Sequence, residues 1–475
     1  MMGMKKIGRS LYEISMEKGM RVPAYAFIDD TMAESGETLQ ALEQIKNVAW
    51  LPGVQQFVAA MPDVHYGYGF PIGGVCATDT RDGVISPGGV GYDINCGVRA
   101  IRTMLCAKDI DKRVWDLVTE LYRRVPAGVG LKGSIRLSAR EERRVVENGA
   151  GWAVAHGFGE DEDLLFCEDG GRLDGADYAD VSETARERGR EQLGTLGAGN
   201  HFIELSYVSD IFDDDTASLY GLFKGQIIVL FHTGSRGFGY QICDDYLKMM
   251  RKESRLELPD PQLVSVFIGH HLGKRYMSAM RAAANYAWAN RQIITSLVRE
   301  GFERVLKTSY RRLGMSVVYD VSHNIARLEY HEVEQERKLL CVHRKGATRA
   351  FGPGHQDVPE MYRSAGQPVL IPGDMGRASY IMKGTEGSMK KSFGTACHGA
   401  GRLLSRRKAT KVAESRDIKG ELEKLGVLVM SRSRRTLKEE MPEAYKDVSR
   451  IVDIVEQNDL ARKVAKLVPI GVVKG

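Results

Sequence analysis

A chain of 475 residues with 43% hydrophobic and 27% charged residues lies in the soluble globular range and is long enough for a large core. No run approaches the roughly 18–20 apolar residues of a membrane-spanning helix, and the start MMGMKKIGR lacks an apolar signal segment, so the expected compartment is the cytoplasm and no membrane is expected as a partner. A net charge of +5 does not by itself demonstrate nucleic-acid binding, and seven Cys without any Cys-x-x-Cys spacing argue against a disulfide framework.

In chain order, the first predicted feature is the glycine-rich stretch Pro87 to Arg99, where glycines on both sides of Asp93 and Cys96 allow tight turns and close approach to a ligand. Residues 109–125 read as an amphipathic helix: Val114, Leu117, Val118, Leu121 and Val125 recur at helical spacing, Asp109 serves as N-cap and Pro126 as stop. Gln226 to Phe231 reads as a buried strand, being short, β-branched and bounded by turn residues, and Ser316 to Val321 reads the same way. Between them, residues 264–306 are expected to be mostly helical, with an Ala-rich centre suited to close packing on a sheet. Residues 445–465 give one more helical pattern. Strands and helices mix without βαβ alternation, which predicts an α+β fold with mixed β-sheets flanked by helices. No repeat, low-complexity tract or linker divides the chain, and the chemically suggestive motifs run from Asp63 to Lys474. One large catalytic domain over residues 1–475 is therefore expected.

Those motifs carry two chemistries. Asp93, Cys96, His201, His232 and His323 offer a carboxylate, a thiolate and three imidazoles next to glycines or strand ends; together they suit Zn, Mn, Fe or Co, and a thiolate can bridge two ions. Each His taken alone reads as an ordinary satisfied polar residue. Cys397-His398-Gly399-Ala400-Gly401 presents an imidazole with little steric shielding, suited to attack on phosphorus as a covalent carrier; Cys397 as nucleophile is the weaker reading, because adjacent side chains seldom face each other. Residues 232–237 and 343–349 combine cations, hydroxyls and glycine turns, and read either as anion sites or as basic surface loops. Neither is a Walker A loop, and no Rossmann fingerprint occurs. Basic clusters at Arg123-Arg124, Arg143-Arg144, Arg311-Arg312, Arg406 to Lys408 and Arg432 to Arg435 read singly as solvated faces, yet their number leaves a polyanionic substrate open.

Residues 61–65, 67–73, 91–99, 193–204, 232–237, 321–324, 372–376, 398–402 and 469–475 together closely resemble the RtcB family of RNA ligases, and the similarity covers nearly the whole chain. The resemblance implies two Mn²⁺ per chain, one on Asp93, Cys96 and His201 and the other on Cys96, His232 and His323. It implies GTP as co-substrate, reacting with His398 to give a guanylyl-histidine. The nucleotide would be held by Asn200, His201, Phe202, Ile203, Glu204, His323, Asn324, Pro372, Gly373, Asp374, Met375, Ser379, His398, Gly399, Ala400, Gly401, Tyr445 and Lys474. Within that set Glu204 and Lys474 would read the guanine edge and Tyr445 would stack on the base, while Arg236 and Arg402 would stabilise phosphoryl charge. Asp374 departs from the small hydroxyl residue the family often carries and adds negative charge near the nucleotide. The implied reaction joins an RNA 3′-phosphate or 2′,3′-cyclic phosphate to a 5′-hydroxyl through RNA-(3′)pp(5′)G, in tRNA splicing or RNA repair, with an archease-type activator in part of the family and a monomer as the default state. The competing reading is a dinuclear metal-dependent phosphodiesterase, for which the same metal ligands would serve and His398 would not be needed.

Overall fold

Short β-branched runs separated by glycine turns build two principal sheets in the computed structural model, which describes residues 3–475. The first has seven strands in the order Met4–Gly8, Leu11–Ile14, Ala24–Ala26, Val54–His65, Ile72–Asp79, Glu336–Lys345 and Asn324–Val333. The second runs Ser316–Ser322, Gly97–Cys106, Gln226–Thr233, Phe202–Ile211, Ala461–Lys474, Ser379–Gly384 and Pro368–Ile371, with Leu428–Ser431 added alongside Ala461–Lys474. Pairing is antiparallel except for Ala24–Ala26 on Val54–His65 and Leu428–Ser431 on Ala461–Lys474, so the fold is α+β with mixed sheets as expected.

The long helix His271–Leu306 packs its Ala-rich centre inside the molecule, where residues Ala282 to Ile294 are all buried. Small side chains let its backbone approach the second sheet closely, and the polar groups it brings along are answered there. Asp320 accepts from Arg99 Nε at 2.7 Å and from Arg291 Nε at 2.8 Å, with all three side chains fully buried. Arg291 Nη1 in turn donates to the carbonyls of Asn95 at 2.7 Å and Thr233 at 3.1 Å. This ionic core thus holds two loops that carry predicted metal ligands.

The strands at Gln226 and Ser316 form where expected, each extended by one or two residues. Three helix boundaries differ. The helix of the 109–125 region runs Val114–Arg124, and Asp109 belongs to a preceding short turn of helix Ala107–Ile110, where its carboxylate accepts from Cys106 N at 2.7 Å. Residues 264–270 hold the strand Val266–Phe267 before the long helix starts. The pattern at 445–465 is a helix only over Val448–Gln457; from Ala461 the chain is the edge-to-edge strand Ala461–Lys474. There the alternation of buried and half-exposed residues across the second sheet overrides the helical spacing of Leu460, Val464 and Ala465.

Candidate active site

Antiparallel neighbours alternately start and end at one edge of the second sheet, and that edge collects the candidate metal ligands. Cys96 immediately precedes Gly97–Cys106, His232 lies at the end of Gln226–Thr233, His201 immediately precedes Phe202–Ile211, and His323 follows Ser316–Ser322. Cys96 Sγ lies 3.2 Å from His201 Nε2 and 3.1 Å from His232 Nε2, His232 Nε2 lies 3.1 Å from His323 Nε2, and His201 Nε2 lies 3.0 Å from Asp93 Oδ2. The donors fall into two groups sharing Cys96: Asp93, Cys96 and His201, and Cys96, His232 and His323, each with its donor atoms within 4.8 Å of one another.

The chemistry of this donor set fits divalent cations. His201 Nδ1 faces the Leu196 carbonyl at 2.9 Å and His232 Nδ1 faces that of Asn200 at 3.2 Å, contacts that orient each ring with its Nε2 toward the thiol. Burial pushes all three imidazoles below their ordinary range, which keeps them neutral and able to ligate. Burial, followed by the nearby Asp93 carboxylate, pushes the Cys96 thiol well above its ordinary range, so a cation is what would release its proton. Burial alone would raise Asp93, yet His201 and Arg236 hold it down at about 2, which keeps a carboxylate available. Cys96 is the one residue common to both donor groups.

A separate two-stranded ribbon beside the first sheet positions His398, the candidate nucleophile. After Glu336–Lys345 the chain turns at Gly346 into the ribbon Ala347–Arg349, which pairs with Thr395–Cys397 and delivers His398. His398 Nδ1 lies 2.5 Å from Asp63 Oδ2, on strand Val54–His65, and the same oxygen accepts from His398 N at 3.0 Å. Asp63 therefore holds the proton on Nδ1 and leaves Nε2 as the lone pair. The His398 ring centroid is 4.8 Å from that of His323, so His398 stands directly beside the second donor group. Gly401 sits at φ +70° with space for a Cβ blocked by Asp63 O at 2.3 Å, which requires glycine in the His398 loop. Cys397 is buried with its thiol pushed well above its ordinary range by burial, so it offers no nucleophile.

These groups open into a cavity of about 380 Å³ lined by residues from His65 to Lys474. Asn200, His201, Phe202, Glu204, His323, Asn324, Pro372, Gly373, Asp374, Met375, His398, Gly399, Ala400, Gly401, Tyr445 and Lys474 all line it, whereas Ile203 and Ser379 do not. Ile203 alternates to the opposite face of its strand and is core; Ser379 stands behind Glu204, donating to Glu204 Oε1 at 3.2 Å. Ser206 donates to the same oxygen at 2.6 Å, but burial dominates and raises the Glu204 carboxyl to about 7. Asp374 Oδ2 lies 2.9 Å from Arg377 Nε and Oδ1 accepts from Gly376 N, so its charge is answered from its own loop; burial still raises it to about 6. Arg402 lines the cavity and lies 5.1 Å over the Tyr445 ring, while Arg236 does not line it and reaches His201 Nδ1 at 3.0 Å instead.

The 343–349 stretch is neither an anion loop nor a surface loop. Arg344 and Arg349 are buried and both pair with Glu329 at 2.7 Å, leaving Lys345 and Gly346 to reach the cavity. Sequence reasoning missed Glu440, a fully buried carboxylate that gathers Arg402 at 3.0 Å, Arg406 at 3.6 Å, Lys474 at 3.8 Å and the Tyr445 hydroxyl. It also left Asp63 without a role, although that residue lies in one of the quoted motifs.

A family model described as tRNA-splicing ligase RtcB matches residues 44–475. The protein named tRNA-splicing ligase RtcB from Thermococcus kodakarensis is 50% identical, the match covering 100% of this chain and 99% of that protein. Those of the same name from Methanococcus maripaludis and Archaeoglobus fulgidus are each 49% identical, with 99% of both chains covered in each comparison. With near-half identity from end to end and a family model spanning most of its length, the chain belongs to the tRNA-splicing ligase RtcB family.

Proposed function

We propose that this protein is an RNA ligase of tRNA splicing that uses GTP to join an RNA 3′-phosphate to a 5′-hydroxyl, working as a single catalytic unit. The observation that carries this reading is His398, held by Asp63 in one tautomer and standing beside the imidazole and thiol group. A phosphodiesterase acting through bound water has no need of it.

His398 Nε2 attacks the α-phosphorus of GTP; a P–N bond forms, the P–O bond to pyrophosphate breaks, and Asp63 stabilises the positive charge by keeping Nδ1–H. An oxygen of the RNA 3′-phosphate then attacks the guanylyl phosphorus, the P–N bond breaks, and RNA-(3′)pp(5′)G forms. The 5′-hydroxyl attacks the RNA 3′-phosphorus; a P–O bond to the 5′ oxygen forms, the P–O bond to GMP breaks, and the hydroxyl proton passes to solvent water. A 2′,3′-cyclic phosphate is first opened by water to the 3′-phosphate. Two divalent cations, Mn²⁺ on the family resemblance, would be held by Asp93, Cys96, His201, His232 and His323 and supply Lewis-acid charge at the phosphate oxygens. Arg402 adds fixed positive charge, and Glu204, with Lys474 close by, faces the guanine.

The test is incubation with α-labelled GTP and Mn²⁺, followed by isolation of the protein. Label bound through an acid-labile linkage is expected, and is expected to vanish in His398→Ala. Label that never reaches the protein, or that persists in His398→Ala, rejects the mechanism in favour of the phosphodiesterase.

A further inference from the structure

The positive charge of this chain is concentrated in one place. Residues 402–438 hold 12 Lys and Arg against 4 Asp and Glu, so this stretch is net +8 and the rest of the chain is net −3. Part of that charge lines a second concavity, about 650 Å³ in volume, with Arg416, Lys419, Arg432, Arg434 and Lys438 on its walls and Asp417 as its acid. Arg416 is committed to Glu421 and Glu443, at 2.5 and 2.7 Å, and Lys438 to the Glu414 carbonyl at 2.6 Å. Lys419 has only a loose helical neighbour, Glu423 at 3.7 Å, and the exposed Arg432 and Arg434 pair with no carboxylate among the described residues. Unbalanced guanidiniums on the walls of a cleft are what a polyanion recognises.

The cleft adjoins the active-site cavity through one strand pair. Leu428–Ser431 runs parallel to the end of Ala461–Lys474, with Ser431 in register with Lys474. Ser431 and its neighbour Arg432 line the cleft, while Lys474 lines the cavity. The helix Arg434–Glu439 leads directly to Glu440, the carboxylate that gathers the cavity cations. The cleft and the cavity therefore lie side by side, separated by this one strand pair.

We infer that the cleft walled by Lys419, Arg432 and Arg434 is a docking surface for the phosphate backbone of the RNA substrate beyond its reacting ends. The inference rests on the ligase reading for the identity of the polyanion. Backbone contacts position a nucleic acid without reading its sequence, which suits one enzyme acting on differently sequenced exon halves.

The experiment compares the wild-type chain with the triple variant Lys419→Gln, Arg432→Gln, Arg434→Gln. Equilibrium binding of tRNA halves is measured across a salt series, and ligation is measured with tRNA halves and with oligonucleotides too short to leave the cavity. For the variant we expect binding of tRNA halves weakened about tenfold and a log–log salt slope smaller by about 2, from three lost contacts at ~0.7 each on a single strand. Ligation of the short pair and label transfer from GTP should stay at the wild-type level. The variant Arg432→Lys, Arg434→Lys keeps the charge and should retain binding, which separates a phosphate contact from a folding defect. A triple variant that binds tRNA halves with wild-type affinity and salt slope overturns the proposal. A wild-type protein that takes no label from GTP sinks the ligase reading alone, and the binding arm then still decides the cleft.

Discussion

In the proposed mechanism Asp63 decides which nitrogen of His398 attacks. A carboxylate can only accept from Nδ1–H, which leaves Nε2 free, whereas an amide can rotate to donate to Nδ1 and would then place the proton on Nε2. Asp63→Asn is therefore expected to lower the rate of label transfer from GTP to protein by about 10²-fold or more, with bound metal unchanged; a variant that labels at the wild-type rate would remove Asp63 from this role. Glu204 makes a prediction in pH. Its folded carboxyl, at about 7, lies above the unfolded value of about 4.3, so the folded state holds the proton more tightly. The stability this contributes is complete below about pH 4.3 and is lost as pH rises through 7, a change on the order of 3–4 kcal/mol. In thermal melts without GTP, Glu204→Gln should gain on the wild type as pH is raised from 5 to 8, and a pH-independent difference would contradict the argument.

Between elements, the buried Asp320 ties the long helix to the second sheet through Arg99 and Arg291. Removing the carboxylate strands two buried guanidiniums, so Asp320→Ala is expected to cost about 3–5 kcal/mol in denaturant unfolding, and Asp320→Asn less. A loss under 1 kcal/mol would mean that solvent reaches these groups. The strands Gln226–Thr233 and Ser316–Ser322 were legible because short β-branched runs buried on both faces leave little alternative. Residues 458–465 were misread because Leu460, Val464 and Ala465 fit a helical face locally, and only the waiting edges of Phe202–Ile211 and Ser379–Gly384 make the extended form the better one.

At the scale of the whole molecule, the site forms where four strand ends of the second sheet meet the His398 ribbon, and Cys96 belongs to both donor groups. Cys96→Ala is thus expected to lose both metal ions, read as metal per chain after dialysis of the purified protein; retention of two would refute the bridge. The sequence by itself determined the candidate residue types for the chemistry: Asp93, Cys96 and the three histidines beside glycines, the unshielded His398, and the motifs that carry the family. Such requirements are local, because a ligand needs its donor atom and a turn needs its glycine. Which partners those residues meet was decided by tertiary structure alone. The Asp63–His398 contact spans 335 residues, Glu440 gathers Arg402 and Arg406 from far upstream and Lys474 from downstream, and Arg344 and Arg349 turn from the 343–349 stretch to Glu329. Coulomb attraction and hydrogen bonding act through space, and proximity in space is set by sheet order and register, which no local pattern encodes.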